Sequence, residues 1–436
     1  MKYRLVIMLV CVACAVVGRA QHVYTLDDCR KLALQRNLNV QTARLEVQGA
    51  KETSREAFTK YFPVISGTAT GFKSDKGALG VSVLNGLFST SFVDRGVLAG
   101  VTAIQPVFTG GQLINGNKLA KLNVSVKNEQ LRQSENDAAL GVEQYYWQLV
   151  ALKEKLKTLD VVGQQIDTIR RDVKTAVDAG VAMRNDLLQV ELQRNKILSA
   201  RLKVTNGLQV LKMLLAQSME VPADSFEIAP VEMKQVPDPN QYKVDHLTAL
   251  QHTSPYRLLQ KNVEANRLQR NMEIGKRLPT IGIGAGYMYY NLPDRHEWKV
   301  LEDTRSMGMV FASVVVPLSD WWGGTHAIRQ KNVQLKIAEY AKQSNGELLL
   351  VQMQQTWSEL VEAYGQVKIA RESVEKSEEN MRIHTDAYHA GTIAISEWLD
   401  AQTLLQQSRD QYTEEVTGYL TKRARYLQAT GRDIIQ

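Results

Sequence analysis

Long stretches of this chain place an apolar residue every seven positions and contain no proline. Between Leu113 and Ala179, Tyr145, Leu152, Leu159, Ile166 and Val173 recur at heptad spacing, with Leu149 and Leu156 between them. From His326 to Ala390 the same period is kept by Met353, Leu360, Val367, Val374, Met381 and Tyr388, while Val190, Ile197, Val204 and Leu211 carry it on the return from the first stretch. Heptads sustained this far predict helices packed as coiled coils, with these Met and Tyr positions as seam residues. At about 1.5 Å per residue, each of the two long helices would run roughly 100 Å. Helices over Leu26 to Lys60 and Leu187 to Met219 are about half that length, so a pair placed end to end matches one long helix; Tyr242 to Arg277 and Glu397 to Gln428 make a second pair. The expected wall is hollow and has four helical columns, two continuous and two assembled from halves.

Between the columns the period changes to two. Val64 to Lys73, Val97 to Phe108, Thr280 to Asn291 and Met307 to Leu318 are each about ten residues, the length a tilted membrane-spanning strand needs. Ile281, Ile283, Ala285, Tyr287 and Tyr289 fall on one face, and Gly282, Gly284 and Gly286 on the other. The tyrosines, with Trp298, Trp321 and Trp322 nearby, suit an interfacial girdle. Ser74 to Gly96, rich in Ser, Gly and Asn, and Leu292 to Ser306 read as the hairpin loops on the extracellular side. Five of the ten prolines fall between Pro222 and Pro255, which makes Pro222 to Gln241 a connector and no fifth column.

The pattern is written twice. Ala33-Leu34-Gln35, ahead of a helix ending at Tyr61-Phe62-Pro63, returns 216 positions later as Ala249-Leu250-Gln251 ahead of Arg277-Leu278-Pro279. The run to Pro106 with Gly110 and Gly111 returns 211 positions on as the run to Pro317 with Gly323 and Gly324. At that offset Ala179-Gly180 with Asp186-Leu187-Leu188 becomes Ala390-Gly391 with Glu397-Trp398-Leu399. The reading is therefore a signal segment at 1–20, a first repeat at 21–221, a connector at 222–241 and a second repeat at 242–436, each repeat being helix, β-hairpin, long helix, helix. The fold class is mixed and mainly α.

Composition narrows the compartment. Lys2 and Arg4 precede a thirteen-residue apolar run, Leu5 to Val17, too short for a membrane helix and right for a secretory signal, with Gly18-Arg19-Ala20 as the cleavage site and Gln21 as the mature start. The rival, lipidation at Cys14, needs a better box than Cys11-Val12-Ala13. Cleavage at Gln21 leaves Cys29 alone, so no internal disulfide forms, and Cys29 is expected as a small buried residue of the first helix. The formal charge of +7 falls to about +4 without the signal and is spread among alternating acids and bases, which is no nucleic-acid footprint. No run reaches the roughly 18 apolar residues of a membrane helix, so entry into a membrane requires strands. The seven histidines form no HExxH or similar ligand set, no phosphate-binding glycine loop or nucleophile setting is present, and the twelve methionines do not argue for copper. No enzyme, cofactor or metal is expected.

In order, duplication and spacing, these motifs resemble the TolC-type outer-membrane efflux factors over essentially the whole mature chain. Leu26-Asp27-Asp28-Cys29-Arg30-Lys31-Leu32-Ala33-Leu34-Gln35-Arg36-Asn37 is similar to the family's first helix, Tyr61-Phe62-Pro63 to its lead-in to the first strand, and Pro106 to Gly111 to its strand exit. The resemblance implies a homotrimer in which each protomer gives four strands to one twelve-stranded transmembrane β-barrel, continued by a long periplasmic helical tunnel. It also implies a periplasmic adaptor, an inner-membrane pump of RND or ABC type, and contact with outer-membrane lipid. By residues alone, the turns at Gly180 and Gly391 and the acids after them are ordinary helix-stop and helix-start signals. The resemblance makes the two turns the adaptor-contacting tip, and Tyr388, Glu397, Asp400 and Asp186 the periplasmic gate. Where the family's best-known member has a latch arginine, two residues after the second turn glycine, this chain has Ile393; a Tyr388 to Asp186 hydrogen bond or Arg184 is left to hold the entrance.

The function expected is the outer-membrane channel of a tripartite efflux or type I secretion system, a passive duct from periplasm to exterior. The alternative, a structural or adaptor coiled-coil protein of the periplasm, explains the heptads and the signal but leaves the four strands without a role. Cargo and pump class are not legible.

Overall fold

The computed structural model describes residues 22–75, 79–83, 88–93, 95–232, 236–291 and 304–432. The signal segment, the start at Gln21, Cys11, Cys14 and Trp298 lie outside the described residues, as does the Trp321 side chain. In chain order the elements are β1 (His22–Tyr24), α1 (Leu26–Arg36), α2 (Leu38–Thr59), β2 (Val64–Lys73), β3 (Leu79–Val83), β4 (Phe88–Val93), β5 (Arg95–Thr109), α3 (Gln112–Asp178) and α4 (Arg184–Met219). There follow β6 (Phe226–Ile228), α5 (His246–Leu250), α6 (Ser254–Gly275), β7 (Thr280–Asn291), β8 (Thr304–Val315), α7 (Asp320–His389) and α8 (Ile395–Ala429). The chain forms two compact units, to both of which α2, α3, α6 and α7 contribute residues: one holds residues 1–45, 129–257 and 344–436, the other 46–128 and 258–343.

In the second of these units, β2, β5, β7 and β8 form one antiparallel sheet in that order, so strands of both repeats pair directly. Tyr287 lies opposite Val101 and Gly308, and Ala285 opposite Ala103 and Val310, so these residues share one face. That face, with Ile281, Ile283, Tyr289 and Val314, is exposed and apolar, as the alternation predicts. The opposite face carries Gly282, Gly284 and Gly286, the hydroxyls of Ser66, Thr68 and Thr102, with Ser66 and Thr102 hydrogen-bonded across strands at 2.9 Å, and also the larger apolar residues Val64, Ile104, Met309 and Phe311. A sheet that leaves its apolar residues exposed is the reverse of a soluble sheet, which turns them to its core. Pro106 lacks an N–H, and the β5 to β7 register slips between Pro106 and Phe108, as expected where a proline interrupts a ladder. At the exit of β5, Gly110 takes φ +61° and lies so close to the Gly275 carbonyl that a Cβ has no room.

The other unit is built on heptad seams. Leu159, Ile166 and Val173 of α3 pack with Val190, Ile197 and Val204 of α4, and Met353, Leu360 and Val367 of α7 are buried in turn, as the seven-residue period predicts. Cys29, Ala33, Tyr146, Leu215 and Phe226 form a further core, and burial pushes the Cys29 thiol up to about 12, which keeps it protonated. Within this core Arg30 pairs with the fully buried Glu143, whose other oxygen accepts from Trp147 Nε1 at 2.6 Å.

Four expectations are corrected. The helix expected over Leu26 to Lys60 is two helices, because Asn37 leaves helical geometry with ψ 127°. Its side-chain oxygen accepts from the Asn39 N–H at 3.0 Å, restarting the chain as α2, while its amide donates to the Ser218 carbonyl at 3.1 Å. The helix expected over Tyr242 to Arg277 is broken as well: a 3-10 turn ends at Tyr242, Asp245 caps the short α5 through the Thr248 N–H at 2.8 Å, and α6 opens afresh with Pro255 in its first turn. The loop expected over Ser74 to Gly96 contains the antiparallel pair β3 and β4, whose sequences alternate apolar with small residues beneath their Ser and Gly content. The connector also holds a strand, as β6 pairs in parallel with β1 and so ties the start of the chain to the junction of the repeats.

Candidate functional site

The candidate site is built on two helical hairpins, α3 with α4 and α7 with α8. In the first, moving seven residues along α3 moves the partner seven residues back along α4: Asp160 pairs with Arg201 at 2.8 Å and Asp167 with Arg194 at 2.6 Å. These pairs flank the seam and hold its antiparallel register; being exposed, each contributes little on its own. Arg409 of α8 and Glu378 of α7 make a similar pair at 2.7 Å.

Both hairpins turn on glycine. Gly180 at φ +77° and Gly391 at φ +69° sit in the left-handed region, where a Cβ is disfavoured. The Gly180 N–H donates to the Val177 carbonyl at 3.0 Å and the Val181 N–H to that of Ala176 at 2.9 Å. At the second turn the Gly391 N–H donates to Tyr388 at 2.9 Å and the Thr392 N–H to Ala387 at 3.0 Å. This paired 5→2 and 6→1 bonding satisfies the last carbonyls of each long helix. Around the first turn Val181 and Met183 are 80% and 73% exposed, an apolar tip with no cover in the monomer.

The hairpins pack on one another through α8. Ile395, Trp398 and Leu399 enter the same core as the α3 and α4 seam, with Met381 and Tyr388 at its margin. Trp398 Nε1 donates to Thr385 Oγ1 at 3.2 Å. Gln402 Nε2 donates to Gln165 Oε1 at 3.1 Å and Gln193 Nε2 to Thr403 Oγ1 at 3.1 Å, so amide side chains fix α8 against α3 and α4. Lys155 reaches Glu414 at 3.2 Å and Asp410 at 3.5 Å. Burial lowers the pKa of Lys155, but the two carboxylates outweigh it and the net shift is upward; at Asp410 burial wins over Lys155 and raises the carboxyl.

The predicted gate residues fall at the turn end of these hairpins. Tyr388 is half-buried beside Trp398, with ring centroids 6.3 Å apart. Burial first, then the carboxylates of Asp172 and Asp186, push its phenol above the usual 10. The Asp186 carboxylate accepts from the Met183 N–H at 3.1 Å, a helix-start contact. Among the described residues no hydrogen bond joins Tyr388 to Asp186, and Arg184 makes no ion pair. Glu397 and Asp400 are exposed on one face of α8, one turn apart, while Trp398 and Leu399 between them point into the core. The hairpins thus bring Tyr388 and Asp186 near each other and leave Glu397 and Asp400 facing solvent. Sequence reasoning missed Trp398, Gln402 and Gln165; the recurrence of Glu397-Trp398-Leu399 opposite Asp186-Leu187-Leu188 was the available signal for Trp398, and nothing marked the glutamines.

Among the described residues no group of three His, Cys, Asp or Glu side chains is placed to hold a metal ion. Also among them, no helix is long and apolar enough to cross a membrane.

The exposed apolar face of the sheet and the paired heptad hairpins fit an outer-membrane protein. The profile of the family described as outer membrane efflux protein matches residues 29–217 and 249–432, and the chain belongs to that family. Among solved structures the chain is similar to the outer membrane protein VceC of Vibrio cholerae, at 13% identity and TM-score 0.78, covering 94% of this chain and 96% of that one. It is similar also to the CmeC outer membrane channel of Campylobacter jejuni, at 12% identity and TM-score 0.77 over 93% of this chain and 85% of that one. The open state of the MtrE outer membrane channel of Neisseria gonorrhoeae matches at 12% identity and TM-score 0.73, over 93% and 89%. At these identities the likeness is one of fold. No curated protein matches by sequence. The protein is therefore an outer-membrane efflux protein, and the reading as a structural or adaptor coiled-coil protein of the periplasm is set aside.

Proposed function

We propose that three copies of this chain form the outer-membrane duct of a tripartite efflux or type I secretion system, each giving β2, β5, β7 and β8 to a twelve-stranded barrel. The observation that carries this is the sheet itself: β2 and β8 end it with no further strand among the described residues, and its exposed face is apolar. In hydrocarbon an unpaired strand edge leaves N–H and C=O groups without partners, so a four-stranded sheet requires further strands to close it. The edges of neighbouring copies supply them. A periplasmic adaptor engages the turns at Gly180 and Gly391, where exposed Val181 and Met183 offer apolar contact, and an inner-membrane pump of RND or ABC type drives export. Tyr388, Asp186, Glu397 and Asp400 line the periplasmic entrance, and three copies of the two exposed acids focus negative potential there and favour cations. Pairs of cysteines, one in β2 and one in β8 of the same chain, scanned along both strands in a Cys29→Ser background, test the assembly. Cross-linked species that stop at the trimer are expected; capture of dimers only, or of none at any pair of positions, contradicts it.

A further inference from the structure

At the start of α6 lies a largely enclosed cavity of about 180 Å³, walled by α3, α6, α7 and the end of α8. Ser254, the first residue of α6, lines it; the residue is only 5% exposed and its Oγ has no hydrogen-bond partner among the described residues. A buried hydroxyl without a partner is rare in native structures, since the water it gave up is not replaced. The beginning of a 22-residue helix adds the Ser254 N–H, which lacks an intrahelical acceptor, and the positive end of the helix dipole; Pro255, the next residue, has no N–H to give. Two cations face the same space. Arg132 donates to the carbonyl of Gly431 at 3.1 Å and to that of His252 at 3.5 Å, which fixes its guanidinium in the wall, while Arg425 stands at the exposed rim. The one carboxylate in the lining, Asp137, is engaged by Gln428 Nε2 at 2.7 Å, and burial raises its pKa, so its charge is disfavoured there. The lining therefore carries more positive than negative charge, with donors converging on an orphaned hydroxyl.

We propose that this cavity binds a small free oxyanion, a phosphate or a short carboxylate, held by the Ser254 hydroxyl, the Ser254 N–H that opens α6 and the guanidinium of Arg425. The enclosed volume suits an ion of that size, and a lipid with its acyl chains does not fit. The bound anion would tie the start of α6 to the end of α8, and Arg132 of α3 also joins the residues that flank them, His252 and Gly431. This site is separate from the hairpin tip and does not depend on the export reading.

Titration calorimetry of the full chain in detergent, with sodium phosphate and sodium acetate against sodium chloride at equal ionic strength, tests it. Saturable binding of phosphate or acetate is expected, weakened about tenfold by Ser254→Ala and by Arg425→Gln, since each removes one hydrogen bond to a charged group. Arg132 is left in place because it supports two backbone carbonyls. The absence of saturable binding to the unaltered chain overturns the proposal, as does equal binding by both variants, or an experimental density map in which the cavity holds water alone.

Discussion

A methyl group added at Gly391 would meet no atom within 4 Å, yet the residue sits at φ +69°, so the cost of a side chain there is conformational and not steric. Gly391→Ala should cost about 1–2 kcal/mol of local turn stability, and Gly391→Val more, because a β-branched side chain tolerates the left-handed region still less. Folding and outer-membrane assembly should survive while export falls; normal export by Gly391→Val cells would remove this turn from the coupling surface. Gly110 is the opposite case, since any Cβ collides with the Gly275 carbonyl. Glu143 is a third kind of residue. It is fully buried, it is paired with Arg30 and it accepts from Trp147, so Glu143→Leu leaves the Trp147 N–H and one arm of the buried guanidinium without a partner, the other arm being held by Asp27 at 2.7 Å, and should cost about 3 kcal/mol in denaturant unfolding. A loss below about 1 kcal/mol would mean that Asp27 and water suffice for Arg30.

At the scale of elements, β6 is held to the helices by charge as well as by its ladder. Glu227 accepts from Lys153 and from Lys212, both at 2.6 Å. Burial alone would raise its pKa, but the two ammonium groups outweigh that and hold it below its usual 4.5. A carboxylate with a depressed folded pKa adds stability above its unfolded value and loses it as pH falls through the folded one. Acid unfolding should therefore steepen below about pH 4.5, and Glu227→Gln should flatten that part of the curve; an unchanged profile would show that the lysines are solvated in solution. At the hairpin ends, Tyr388→Phe removes a hydroxyl held beside Asp172 and Asp186 and should raise single-channel conductance in planar bilayers. Neutralising Glu397 and Asp400 together should weaken cation selectivity and block by multivalent cations. Unchanged selectivity and block would reduce these acids to helix-start residues, the role that the contact between Asp186 and Met183 already illustrates.

These elements also show what a sequence can carry. Seams were legible because burial repeats with the helix: Leu159, Ile166, Val173 and Leu360 lie where the heptad puts them. The strands at Val64–Lys73 and Thr280–Asn291 were legible because alternation has a period of two, and their bounds match the reading. The break at Asn37 was not, since it depends on a side-chain amide that reaches Ser218, far along the chain. The parallel pairing of His22–Tyr24 with Phe226–Ile228 was equally silent, as three-residue strands carry no period. The same limit hid Gln402 and Gln165, which matter only because folding brings them to 3.1 Å.

For the whole molecule, the family profile spans both repeats, and the fold resemblance covers more than nine-tenths of the chain. What a single chain does not supply is closure of its sheet, and the account rests on that deficit being met by two further copies. The direct measurement is electrical. Protein extracted from outer-membrane fractions, run as a heat-modifiable trimer and reconstituted into planar bilayers, should give discrete, long-lived, cation-preferring conductance steps, absent when the protein is first heated to monomers. A monomer that stays in the periplasmic fraction, or a trimer that leaves the bilayer silent, would contradict the account.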